Sequence, residues 1–212
     1  HLQKTIVSLL DKERYIRPGS IASSAINLLK LEPNLQQHFQ MVTDEVIRNP
    51  MDIILDLNDV PLLLKLMSVC PLPDLELERL LTNLRRSILS NISSLTETSP
   101  ELLKFQSALA LQCFTNEYLY SNTPEEEEKL RSLEARVRKD LENNNQPSPW
   151  GILALASYKA LHQYDWCNLL VVNNDIQEVI TRQVKEPNQE EKIKRDFPIL
   201  EEITDIISSE VR

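Results

Sequence analysis

His162, Asp165 and Cys167 are the residues of this chain whose types could assemble a nucleophile with its base. Neighbouring residues on a helix do not generally face one another, and ALHQYDWC offers no strand and turn to present a thiol. We read Cys167 as a packed cysteine beside a satisfied histidine. His1, His38 and His162 lie far apart and match no HExxH or related spacing, which argues against a zinc site drawn from this chain. Cys70, Cys113 and Cys167 have no paired spacing and sit in apolar surroundings, as reduced thiols do. Gly19 and Gly151 are the only glycines, too few and too isolated for a Rossmann turn or a phosphate-binding loop. A carboxylate pair joining Glu117 to a glutamate near the C-terminus has no specific support, so no catalytic, cofactor-binding or metal-binding residue is assigned.

A different group of polar and aromatic residues stands out by its surroundings. Gln112, Asn116 and Glu117 lie on or beside the apolar stretch SPELLKFQSALALQCFTNEYLY, and each needs a hydrogen-bond partner or a route to solvent. Tyr158, His162, Tyr164 and Trp166 cluster in WGILALASYKALHQYDWCNLL, in a chain with only 5% aromatic residues. These seven residues are the candidate contact surface; the competing reading makes them satisfied core groups.

The elements that must hold them are helices throughout. With 42% hydrophobic and 26% charged residues over 212 positions, and leucine recurring at helical spacing, the sequence predicts an all-α fold. It is expected as a multi-helix bundle or an irregular helical-repeat array, with short loops punctuated by twelve prolines. Ser99 to Tyr120 reads as the central buried helix, with Leu102, Phe105, Leu109, Cys113 and Tyr120 on its stripe. Ser99-Pro100, Thr123-Pro124 and Ser148-Pro149 repeat one start signal, a hydroxyl residue followed by a proline whose missing N–H costs nothing there. Glu126 completes a capping box with Thr123.

Toward the N-terminus, Leu2, Ile6, Leu9 and Leu10 predict a helix closed near Arg17-Pro18-Gly19, and Ser20 is expected to cap the next. A third helix carries Leu35, Phe39, Val42 and Val46. Met51 to Val69 reads as two short helices broken at Asp59-Val60-Pro61, and Cys70-Pro71-Leu72-Pro73 as a rigid extended connector. The connector divides an N-terminal segment, 1–70, from a helical domain, 71–212. The first segment has the layout of a degenerate tetratricopeptide repeat without its residue signature. Asp74 is expected to cap a long helix on which Arg85 and Arg86 sit off the apolar stripe, read as part of a solvated face with a functional role as the alternative. Ile176, Val179 and Ile180 predict a short helix interrupted by Pro187. A last helix carries Leu200, Ile203, Ile206, Ile207 and Val211.

A net charge of −9 argues against a broad grip on nucleic acid or an anionic membrane. No apolar run approaches the ~20 residues of a membrane span, and no signal peptide opens the chain, so a cytoplasmic location is expected. The start at His1 without a methionine points to a fragment of something longer.

Four phrases taken together carry a resemblance: PLPDLELERLLTNLRRSIL, ALALQCFTNEYLY, LASYKALHQYDWC and EVITRQVKEPNQEEKIKRDFPILEEITDIISSEVR. Over about Pro71 to Arg212 the chain resembles the helical region between the tetratricopeptide repeats and the catalytic domain of bacterial tetratricopeptide-linked class I S-adenosylmethionine-dependent methyltransferases. The resemblance implies a non-catalytic helical scaffold or regulatory domain. It would dock its own downstream catalytic domain, present a protein substrate or form a homodimer, with S-adenosylmethionine bound downstream rather than in this chain. A free-standing helical-repeat adaptor that binds a peptide in a groove is the alternative.

Overall fold

The computed structural model describes residues 2–12, 17–41, 49–92 and 99–196. Among them the chain is all-α and forms no strand. In order, α1 spans Leu2–Leu10, α2 Pro18–Leu29, α3 Pro33–Met41, α4 Pro50–Asn58, α5 Pro61–Val69 and α6 Leu75–Asn91. Then come α7 Pro100–Thr115, α8 Pro124–Glu142 and α9 Pro149–Ala156. Two short 3₁₀ turns, Leu161–Gln163 and Cys167–Leu169, lead to a composite helix made of α10 Gln177–Ile180, a π-helical turn Thr181–Lys185 and α11 Glu186–Asp196. His1, Val42, Val46 and the stripe from Leu200 to Val211 lie outside the described residues.

Proline sets most of the boundaries. Pro18, Pro33, Pro50, Pro61, Pro100, Pro124 and Pro149 each open a helix, where φ is already helical and the absent N–H would have had no partner. This corrects the expected start of α2. Pro18 and Gly19 form its first turn instead of closing α1, and the Ser20 hydroxyl donates to the Arg17 carbonyl at 2.7 Å. The three hydroxyl-proline starts also differ. Ser99 accepts from the Leu102 amide, and Thr123 forms the full capping box with Glu126, but Ser148 makes no side-chain cap. Asp74 caps α6 as expected, accepting from the amides of Glu76 and Leu77, both at 3.1 Å.

α7 is the central helix, packed against α4, α5, α9 and α10. Leu102, Phe105, Ala108, Leu109 and Cys113 face one apolar core, shared with α1, α2, α4, α5 and most of α6. Leu103, Ala110 and Leu111 face a second, built from α8, α9, the 3₁₀ turns and the composite helix. Helical spacing thus divides one element between two cores. The first core draws on both sides of the Cys70–Pro73 connector.

α7 stops at Thr115, five residues before the expected end. Its close is a Schellman turn, in which the Tyr118 amide donates to the Cys113 carbonyl at 2.8 Å and the Glu117 amide to Phe114 at 3.1 Å. Glu117 and Tyr118 adopt φ of 57° and 59°, so two non-glycine residues in succession are left-handed. Tyr120 falls beyond the helix and still packs into the first core.

Candidate functional site

The densest cluster of ionisable and polar side chains in the interior centres on Arg85. It is 2% exposed, which corrects its expected place on a solvated face. The physical reason is register: position 85 lies four residues after Leu81 and three before Ile88, on the inward face of α6. A cation there must be compensated. Nη2 donates to the Ser121 carbonyl at 2.8 Å, to Asn122 Oδ1 at 2.9 Å and, at 3.4 Å, to the Tyr120 carbonyl. Nη1 reaches Ser157 O, at the C-terminal end of α9, at 3.5 Å. The guanidinium carbon stands 4.1 Å from the ring centre of Tyr158 and 5.6 Å from that of Tyr120.

Glu126 supplies the opposing charge. It is 2% exposed, and its Oε1 lies 4.0 Å from Arg85 Nη2. Oε1 also accepts from the Tyr158 hydroxyl at 2.6 Å, while Oε2 accepts from the Thr123 amide at 2.8 Å and from Arg86 Nε at 3.3 Å. The capping glutamate of α8 is therefore also the counter-ion of α6. Burial pushes the Tyr158 hydroxyl well above its ordinary range, against the pull of Arg85 and with the help of its bond to Glu126. Cys113 is pushed up to about 12 by burial, with Arg85 opposing, so the thiol stays neutral.

A second node lies on the composite helix. Pro187 has no N–H to return to the Gln183 carbonyl, and the preceding turn widens to π geometry instead of ending, which corrects the expected interruption. The released carbonyl lies 2.9 Å from His162 Nδ1, which must donate because the oxygen can only accept. The fully buried Gln183 amide is spent as well: Oε1 accepts from the Leu161 amide at 3.1 Å, and Nε2 donates to Ala110 O at 3.0 Å and Ala156 O at 3.1 Å. One side chain thereby joins α7, α9 and the turn between them and the composite helix.

The seven residues singled out from sequence separate accordingly. Gln112 is 1% exposed. With its amide set to match its neighbours, it donates to Met67 O and Cys70 O, both at 3.1 Å, and accepts from the Leu72 amide at 3.2 Å. It pins the proline connector to α7. Tyr158, Tyr164 and Trp166 are buried, the last two stacked with ring centres 4.6 Å apart. Asn116 and His162 are half-buried, and Glu117 is exposed at the Schellman turn. His162, Asp165 and Cys167 point their bonding elsewhere. Asp165 takes both Nη atoms of Arg138, at 3.0 and 2.9 Å, and Cys167 lies in the second core.

Sequence reasoning missed Arg85, Glu126 and Gln183 as internal struts. Arg85 could have been found from its register with Leu77 and Leu81; Gln183 carried no signal without its distant carbonyl partners. Near this region three apolar side chains face outward among exposed polar ones such as Asn168 and Asn173. Leu169 and Val171 are 61% and 64% exposed, with Val172 beside them, while Leu170 turns into the second core. Gln146 brackets the segment, accepting from the Val171 amide at 2.8 Å and donating to Leu169 O at 3.2 Å.

The arrangement holds helices in register and presents an extended apolar strip. Among the described residues no group of three or more His, Cys, Asp or Glu side chains could hold a metal, and no helix is long and apolar enough to cross a membrane. In comparisons with known proteins, the chain matches no family model, no curated protein and no solved structure.

Proposed function

We propose that this chain is the helical scaffold domain of a bacterial, cytoplasmic class I S-adenosylmethionine-dependent methyltransferase. It acts by protein contact and leaves cofactor binding to a catalytic domain downstream of residue 212. The observation that carries the reading is the convergence of the resembling phrases on linked polar nodes. Arg85 comes from the first phrase, Tyr120 from the second, Tyr158 from the third and Gln183 from the fourth, and their hydrogen bonds and ring contacts run between phrases. Residues that could donate or accept protons are used as struts, as a domain that fixes geometry for a neighbour requires. The strip Leu169, Val171 and Val172 is the surface we assign to the catalytic domain, because neighbouring exposed apolar residues on a braced segment suit a protein partner.

Titrating S-adenosylmethionine calorimetrically into this chain and into the same chain extended through its downstream reading frame tests the reading. Binding by the longer chain alone is expected, and Val171→Asp combined with Leu169→Asp should separate its thermal unfolding into two transitions by breaking the contact between the domains. Binding by the 212-residue chain itself overturns the assignment, as does a downstream frame without a glycine-rich strand-loop-helix unit.

A further inference from the structure

We infer that a small cavity beside Arg85 is a binding site for one internal water molecule, bridging α6, α7 and α9. The cavity measures about 10 Å³, close to the volume of a single water-sized sphere and too small for any larger ligand. Arg85 and Gln106 line it with Ser157 and Tyr158, and Ile88 and Leu109 form its apolar walls.

Two atoms define the chemistry. Arg85 Nε and Gln106 Oε1 are both buried, and neither has a hydrogen-bond partner among the described residues. One can only donate and the other can only accept. The Gln106 amide cannot be reversed without loss, because its Nε2 donates to Trp150 O at 3.2 Å. The site therefore asks for a ligand that accepts from the guanidinium and donates to the amide oxygen. An anion satisfies the first and repels the second; a cation does the reverse. Water satisfies both, and its second proton has a further acceptor in the Ser157 hydroxyl oxygen, whose own proton goes to Leu153 O at 2.8 Å. With three polar partners the molecule meets the usual requirement of a long-lived buried water.

The consequence concerns the buried charge. The four nearest acceptors of Arg85 all lie on its Nη side, on residues 120–122 and Ser157. Water at Nε completes the shell and ties the cation to Gln106 on α7, the helix whose Cys113 thiol already faces the guanidinium.

The test is nuclear magnetic resonance on the labelled 212-residue chain. The Arg85 Nε–H proton should show a direct cross-peak to water of the sign expected for a residence time beyond nanoseconds. Ser157→Ala should keep that peak, since it removes the alternative source, an exchanging hydroxyl. Gln106→Met should lose or greatly weaken it while the Arg85 resonance itself persists. An observed Arg85 Nε–H with no water peak overturns the inference, and so does a peak lost in Ser157→Ala but kept in Gln106→Met. A high-resolution crystal structure of the unaltered chain decides independently of variant folding. Solvent density within hydrogen-bond distance of both atoms supports the site, and a direct Arg85–Gln106 bond or empty density overturns it.

Discussion

The two cores that meet along α7 are filled in different ways. The first is a leucine core: Leu29, Leu57, Leu62, Leu63, Leu66, Leu77, Leu80, Leu81 and Leu84 are all fully buried there, with Phe105 and Tyr120 as its buried aromatic members. The second combines short aliphatic runs with Tyr158, Tyr164 and Trp166 and is crossed by the Gln183 amide. Arg85 and Glu126 stand where the two adjoin. Leucine packing tolerates exchange of one apolar shape for another of similar volume. A hydrogen-bonded interior does not, because each donor removed strands an acceptor. The first core therefore supplies burial, and the polar nodes determine which element lies against which.

Substitution at one position of each kind puts the largest strain on that contrast. Arg85→Met removes the cation and leaves Glu126 buried beside unpaired carbonyls, so a loss of about 3–5 kcal/mol is expected. Leu63→Met, at a fully buried position of the leucine core, should cost less than about 1.5 kcal/mol. Urea denaturation followed by circular dichroism measures both. Similar losses would mean that Arg85 is no more than volume, and the distinction between the cores would collapse.

A smaller effect separates two helix ends of the same type. α8 closes in a Schellman turn with Asn144 at φ 59°, a residue that tolerates left-handed backbone, whereas α7 closes on Glu117 and Tyr118 at 57° and 59°. Glu117→Gly should raise stability by about 0.5–1 kcal/mol, since relief of the side-chain clash exceeds the entropy glycine adds to the unfolded chain. Asn144→Gly should move it by only a few tenths, roughly. A larger gain at Asn144 than at Glu117 in thermal melts would contradict the account of strain at the end of α7.

The same contrast explains how far the sequence could be read. Leucine periodicity with proline and hydroxyl starts placed α4 to α9 closely, because those signals act within one turn of the residues that carry them. The end of α7 was overrun because no glycine marks its Schellman turn. The helix through Pro187 was cut short because the compensation, a π turn with His162 taking the released carbonyl, involves a residue 21 positions away. Gln112, Tyr158, Tyr164 and Trp166 were legible as residues needing partners. Which partners they find depends on tertiary contacts: Gln112 meets the connector, Tyr158 meets Glu126, and Tyr164 and Trp166 meet each other.

The acid limb of stability offers the finest test, because each region carries an inter-element bridge whose aspartate is held below its ordinary value. In the first, Lys30 Nζ lies 2.6 Å from Asp74 Oδ2, linking the end of α2 to the cap of α6. In the second, Arg138 on α8 grips Asp165. Burial pushes Asp74 up, but the hydrogen bond from Lys30 and those from the α6 amides outweigh it, and its carboxyl ends below the ordinary value. Asp165 is also lowered, chiefly by its hydrogen bonds from Arg138. A carboxyl whose folded pKa is depressed gives its full contribution above the unfolded value, about 3.9, and loses it as pH falls through the folded one. Both pairs therefore weaken below about pH 4. Asp74 stands to lose more, being part-buried and holding two helix amides as well as Lys30, whereas Asp165 is exposed and screened. Asp74→Asn keeps a capping oxygen and removes the titration, so it should flatten the decline in urea midpoint between about pH 5 and pH 2 more than Asp165→Asn does. A steeper dependence on Asp165 would shift the main acid-sensitive contact to the second core and reverse the ranking of the two regions.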